Sequence, residues 1–167
     1  DVPRGQHLHP QQDGAALLYH CEDCALNVKD ADEKESLHSG FVYFAPPNYH
    51  LLIEDDHTFS LSVDAKVNFT RPSVDVLFES AADAYGPTLV GIILSGGNQD
   101  GAAGLRRIKQ RGGLVMVQDP TEAEVDFMPR AAIEAASPAY ILRASEIPSL
   151  LIRLCQETGQ TAPPGAS

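Results

Sequence analysis

The chain has 167 residues, 43% of them hydrophobic and 21% charged, which is enough for one domain with a real core and excludes a disordered or collagen-like chain. Lys plus Arg number 12 against 23 Asp plus Glu, and the formal charge of −11 repels a phosphate backbone, so generic nucleic-acid binding is disfavoured. The apolar runs, such as Leu89 to Leu94, fall far short of the roughly 20 residues a membrane-spanning helix needs, and no membrane insertion is expected.

Three cysteines are an odd count in a domain that needs no disulfide scaffold, which points to a reducing compartment, the cytoplasm by default. No signal-peptide pattern opens the chain, and it starts at Asp1 rather than Met. Residues 1–10 read as a loop or the end of a cut strand. Asp13-Gly14 can start a helix carrying Ala15, Leu17, Leu18 and Cys21, and the charged stretch 29–35 reads as surface. Residues 41–44 predict a strand, and 49–53 with 59–63 predict a β-hairpin about the turn 54–57. Apolar residues at spacings of three and four predict a helix over 72–85, with Pro72 at its first helical position. The continuous apolar run 88–95 suggests a strand buried on both faces; the turn 96–101, a helix over 102–111 and a strand over 114–118 complete a βαβ unit. A helix over 129–136, a strand over 140–142 and a helix beginning at Ser145-Glu146 follow. One domain is expected over 1–155, and 156–167 reads as a flexible tail.

The turn 96–101 leaves a buried strand and enters a helix, so Asp100 belongs at the carboxyl edge of the sheet, where open α/β folds place ligands. An Asp there is equally a helix cap. The turn could offer backbone N–H groups to a phosphate, but it lacks both the Lys-Ser/Thr of a P-loop and a true G-x-G-x-x-G. His7, in Q-H-L-H-P, is a candidate proton carrier, with His9 and His50 weaker ones. Cys21 and Cys24 have C-x-x-C spacing beside His20, but without a fourth ligand they read as free thiols, and no metal is expected.

Taken in order, Q-H-L-x-P (6–10), G-x-V-Y-x-A-P-x-x-Y-H (40–50), R-P-S-x-D-x-L-F (71–78), G-x-x-L-S-G-x-x-x-D-G-A-x-G (91–104), G-G-x-x-x-x-Q-D (112–119) and M-P-R-x-A-I (128–133) resemble the catalytic domain of the CheB-type chemotaxis methylesterases over about residues 6–155. The resemblance implies a three-layer α/β domain wound about a mainly parallel sheet, with an antiparallel β-hairpin. It also implies hydrolysis of glutamate γ-methyl esters, and deamidation of certain glutamines, on the methylated cytoplasmic region of chemoreceptors. A Ser-His-Asp triad and no cofactor are implied, with His7 as the histidine and Asp100 as the aspartate. A receiver domain or a receptor methyltransferase is a further implied partner, and Asp100→Asn is expected to lower turnover while leaving folding intact.

The sequence departs from the family pattern in two ways. The family nucleophile lies in a G-A-S-x-G-G turn ahead of the histidine, and no such segment precedes Gln6, so the expectation is a missing N-terminal strand and serine. Ser95 and Ser167 remain as substitute candidates; the first matches a family Ser/Thr beside the Asp loop, and the second ends a Gly-Ala-Ser without the following glycines. Second, Gly97 and Asn98 stand where the family has Met and Gly. The rival readings are a non-catalytic receptor-binding module that has lost its nucleophile, and a phosphate- or nucleotide-binding domain using the turn 96–101.

Overall fold

The computed structural model describes residues 27–159. Two short strands open it: β1 (Asn27–Asp30) pairs in parallel with β2 (Phe41–Phe44), Asn27 opposite Phe41. The stretch expected to be plain charged surface thus holds a strand and a core residue, because Lys29 lies in β1 and Ala31, just beyond it, is buried. A four-residue N-V-K-D strand has too little apolar alternation to announce itself. Lys29 is held by Glu35 at 2.9 Å and Asp32 at 3.0 Å, and these hydrogen bonds raise its pKa.

The hairpin forms as expected, with β3 (His50–Ile53) antiparallel to β4 (Phe59–Ser62) and Ile53 opposite Phe59. Leu51 and Phe59 bury with Ala31 in a first core, where the rings of Tyr43 and Phe59 meet edge-on at 4.7 Å.

Helix α1 (Val74–Tyr85) starts later than expected. Ser73 is its N-cap and accepts from the Val76 N–H, so Pro72 precedes the cap instead of occupying the first helical position. The helix bridges both halves: Leu77 packs on the hairpin core, while Val74, Phe78 and Ala82 pack into the second core.

That second core belongs to β5 (Val90–Ile93), α2 (Ala102–Gln110), β6 (Leu114–Gln118), α3 (Phe127–Ala136) and β7 (Tyr140–Leu142), whose strands pair in parallel in the order β5-β6-β7. Ile93, Val115 and Val117 meet Leu105, Ile108, Met128 and Ala132. Met116 points to the opposite face and is also fully buried, so β6 is covered on both sides. The same expectation fails for β5, where Val90 is 37% exposed and the following Leu94 48% exposed. Among the described residues β5 is an edge strand, and an apolar run does not distinguish edge from centre.

Two helix boundaries also differ from expectation. Helix α3 begins at Phe127, placing Pro129 within the first turn, where the missing N–H costs no intrahelical bond. Helix α4 (Ile147–Gly159) runs into the first residues of the segment expected to be a tail. No room for a side chain remains where α1 crosses α2: a Cβ on Gly104 would lie 2.5 Å from Phe78 Cβ and 3.1 Å from the Asp75 backbone.

Candidate active site

Asp100 lies at the carboxyl edge of β5, in the loop entering α2, and is 2% exposed. It does not cap its own helix; Gly101, at φ 96°, is the N-cap of α2, and a Cβ there would strike Ile93 and Val74. Asp100 instead closes the N-terminus of α1. Oδ2 accepts from the Val74 N–H at 2.6 Å and Oδ1 from the Asp75 N–H at 3.2 Å, while the Ser73 hydroxyl donates to Oδ1 at 2.6 Å. The positive end of the helix faces the carboxylate.

Asp75 returns the arrangement: from the first turn of α1 its Oδ1 accepts from Gly104 N–H, in the first turn of α2, at 2.7 Å. Each helix start is therefore satisfied by an aspartate belonging to the other helix or the loop leading into it. One amide group bridges the two carboxylates, Asn68 Nδ2 donating to Asp75 Oδ2 at 2.8 Å and to Asp100 Oδ1 at 3.1 Å. Thr70 Oγ1 lies 3.1 Å from Asp100 Oδ2 and 3.0 Å from Val67 O, and shares its single proton between them.

With five donors on one buried carboxylate, the expectation that Asp100→Asn spares the fold needs correcting. An amide would point N–H groups at N–H or O–H donors and leave buried groups unpaired.

Asn68 and Phe69 form the tip of a two-residue turn closed by Val67 N–H to Thr70 O at 3.1 Å and Thr70 N–H to Val67 O at 2.9 Å, with φ of 49° and 66°. Arg71 Nη1 donates to Val63 O at 2.7 Å and Asp64 O at 2.9 Å, fastening the base of this loop. A cleft of about 420 Å³ opens beside Asn68 and Asp75, lined also by Gln99, Ala102, Arg106 and Glu134.

His50, a weaker candidate, is 1% exposed and structural: Nδ1 accepts from Ser73 N–H at 3.2 Å, so the ring proton sits on Nε2, 3.0 Å from Ala65 O. Ser95 donates to Val125 O at 3.2 Å and accepts from Val125 N–H at 2.9 Å, and its own N–H binds Gln118 Oε1 at 2.8 Å. Its hydroxyl therefore ties the loop after β5 to the segment before α3. In the turn 96–101 the N–H groups of Gly96 and Asp100 are spent on Val125 O and Asn98 Oδ1, and the adjoining Ala102 N–H on Gln99 O. This leaves a poor phosphate cradle beside a buried carboxylate. Among the described residues a Cβ on Gly97 would meet nothing within 4 Å, so where the family's Met is replaced no described side chain crowds the position.

His7, His9, Ser167, Cys21, Cys24 and His20 lie outside the described residues. Among the described residues no cluster of three His, Cys, Asp or Glu could hold a metal, and no helix is long and apolar enough to cross a membrane. Asn68, Thr70, Ser73 and Asp75 were not singled out from sequence as a site; only for Asp75 does the R-P-S-x-D run at a helix start offer a signal.

Residues 5–151 match the family model described as CheB methylesterase. A putative protein-glutamate methylesterase/protein-glutamine glutaminase of Leptospira interrogans is 53% identical over 151 residues, 90% of this chain and 78% of the relative. A protein-glutamate methylesterase/protein-glutamine glutaminase of Chromohalobacter salexigens is 38% identical over 140 residues, 82% of this chain and 40% of the relative. The crystal structure of the Thermotoga maritima CheB methylesterase catalytic domain superposes with a TM-score of 0.74 at 36% identity, covering 77% of this chain and 70% of that one. With its mainly parallel α/β architecture and its aspartate at the strand edge, the chain belongs to the CheB methylesterase family, whose protein-glutamate methylesterases are carboxylic ester hydrolases.

Proposed function

We propose that this protein hydrolyses glutamate γ-methyl esters on chemoreceptors in the cytoplasm, through a triad in which His7 is the base and Asp100 its orienting carboxylate. The observation that carries the reading is the methylesterase fold itself, matched over residues 5–151, with Asp100 at the strand edge where the triad aspartate is expected. The nucleophile, which the family carries in its G-A-S-x-G-G turn and which is not identified among Ser95 and Ser167, is a serine hydroxyl that attacks the ester carbonyl, and His7 takes its proton and passes it to the departing methoxide, releasing methanol. Water, activated by the same histidine, then cleaves the acyl-serine, and the products are a free glutamate and the regenerated serine. Asp100 holds the imidazole tautomer and stabilises the imidazolium. Thr70 is the donor that can yield, since its proton has Val67 O as an alternative, and this frees a lone pair on Oδ2 for the histidine.

The names of the relatives favour a second substrate, glutamine amide, for the same acyl transfer, with ammonia leaving in place of methanol. A receiver domain or a receptor methyltransferase is the regulatory partner we propose alongside the receptor.

Methanol release from a methylated receptor cytoplasmic fragment tests the reading. His7→Gln should reduce the rate by about 10³-fold or more. Full activity in that variant defeats the triad, and an inactive wild-type chain that still binds the fragment supports the non-catalytic module. A serine-directed acylating reagent with peptide mapping locates the nucleophile, and labelling of Ser95 would contradict the structural role assigned to it.

A further inference from the structure

Phe69 is 95% exposed, the most exposed large hydrophobic residue among those described. It also has φ of 66°, a left-handed conformation that bulky side chains rarely adopt. Both central residues of its turn have positive φ, a pattern for which Asn-Gly is the favoured pair, and Asn68 is followed here by a phenyl ring instead of Gly. The turn is rigidly held. Asn68 is bonded to both buried aspartates, Thr70 to Asp100 and Val67, Arg71 to Val63 and Asp64, and His50 to Ala65. The protein thus spends backbone strain to project an apolar ring into water from a fixed platform, and a strained outlier at such a place is a pointer to function. Among the described residues the ring, 95% exposed, meets almost no protein surface.

The platform adjoins Asp100, the member of the proposed triad farthest from the reacting ester. Both sequence neighbours of Phe69 bond to Asp100, so its Cα lies within roughly 10 Å of that carboxylate, and the imidazole and the serine of the triad stand between the carboxylate and the ester carbon. An isolated ester cannot reach both points, whereas a protein segment carrying the ester can. Resting on the methylesterase reading above, we propose that Phe69 is a substrate-docking residue that packs on an apolar side chain of the protein substrate outside the reacting glutamate, and so selects protein esters over small ones.

The test compares wild type, Phe69→Gly and Phe69→Leu on a methylated receptor fragment and on 4-nitrophenyl acetate, with Ile152→Ala, an exposed residue of α4, as the control. Phe69→Gly should raise KM for the fragment at least tenfold, and its loss in kcat/KM should be at least tenfold larger on the fragment than on the small ester. Phe69→Leu should recover part of that loss, since it restores apolar surface. Phe69→Gly should also melt at or above the wild-type temperature, because it relieves the positive-φ strain; a structural residue would show the opposite sign. Unchanged KM for the fragment in Phe69→Gly, or equal losses on both substrates, overturns the proposal while leaving the hydrolase reading intact. If wild type hydrolyses neither substrate, that reading fails by itself. Calorimetric binding of the fragment to wild type and Phe69→Gly then decides the docking role, with at least tenfold weaker binding supporting it and equal binding overturning it.

Discussion

At the scale of single residues, Asp100 carries two burdens. It closes the first turn of α1 and stands where a triad carboxylate is needed, so a substitution cannot remove one role alone. Asp100→Asn should cost about 2–4 kcal/mol of stability, since bonds to a charged group are worth about 1.5–3 kcal/mol and unpaired buried donors add to the loss. Urea unfolding measures this, and a midpoint equal to wild type would show that the donors re-pair around the amide. The site was half legible in sequence. Asp100 is visible because it ends a Gly-rich turn after an apolar run. Its donors are not, because Asn68, Thr70 and Ser73 are polar residues of ordinary loop composition about thirty positions upstream, and only the crossing of α1 over α2 brings them together. Phe69 was invisible for a related reason: V-N-F-T lacks the glycine that would have announced its turn.

At the scale of elements, α1 and α2 are joined twice. Their starts exchange aspartates, and their far ends are linked by Asp83, whose Oδ1 meets Arg107 at 2.8 Å and Arg111 at 2.6 Å. Partial burial pushes the Asp83 carboxyl up, but the hydrogen bonds from Arg111 and Arg107 outweigh it and hold the pKa below the ordinary value. A carboxylate with a depressed folded pKa contributes stability that is complete above the unfolded pKa of about 3.9 and is lost as pH falls through the folded value. The melting temperature of wild type should therefore exceed that of Asp83→Asn near neutral pH, with the gap closing below about pH 4. A gap that persists at pH 2 would assign the difference to packing instead. The β5-α2-β6 unit was legible because strand, turn, helix and strand each have a distinct apolar period, whereas β1 is too short and too charged to have one.

At the scale of the whole molecule, order should decrease outward from β6. That strand is central in its sheet and buried on both faces, and Leu105 and Ile108 of α2 pack over it with no exposure at all. The β1–β2 pair, by contrast, carries exposed Val28 and Phe41. Amide hydrogen exchange should be slowest in β6, next slowest in α2 and markedly faster in β1, each local opening reflecting how much apolar surface it uncovers. Equal protection of β1 and β6 would mean that the two cores unfold as one unit.

The double duty of Asp100 bears on how descendants of such a protein would look. Were a lineage to abandon hydrolysis, drift would be free to erase the proton carrier and the nucleophile, but selection for a stable fold would go on preserving the aspartate that clasps two helices together. Retention of this carboxylate in a homologue is then a record of surviving architecture. Whether the chemistry survives is written in the histidine and the serine.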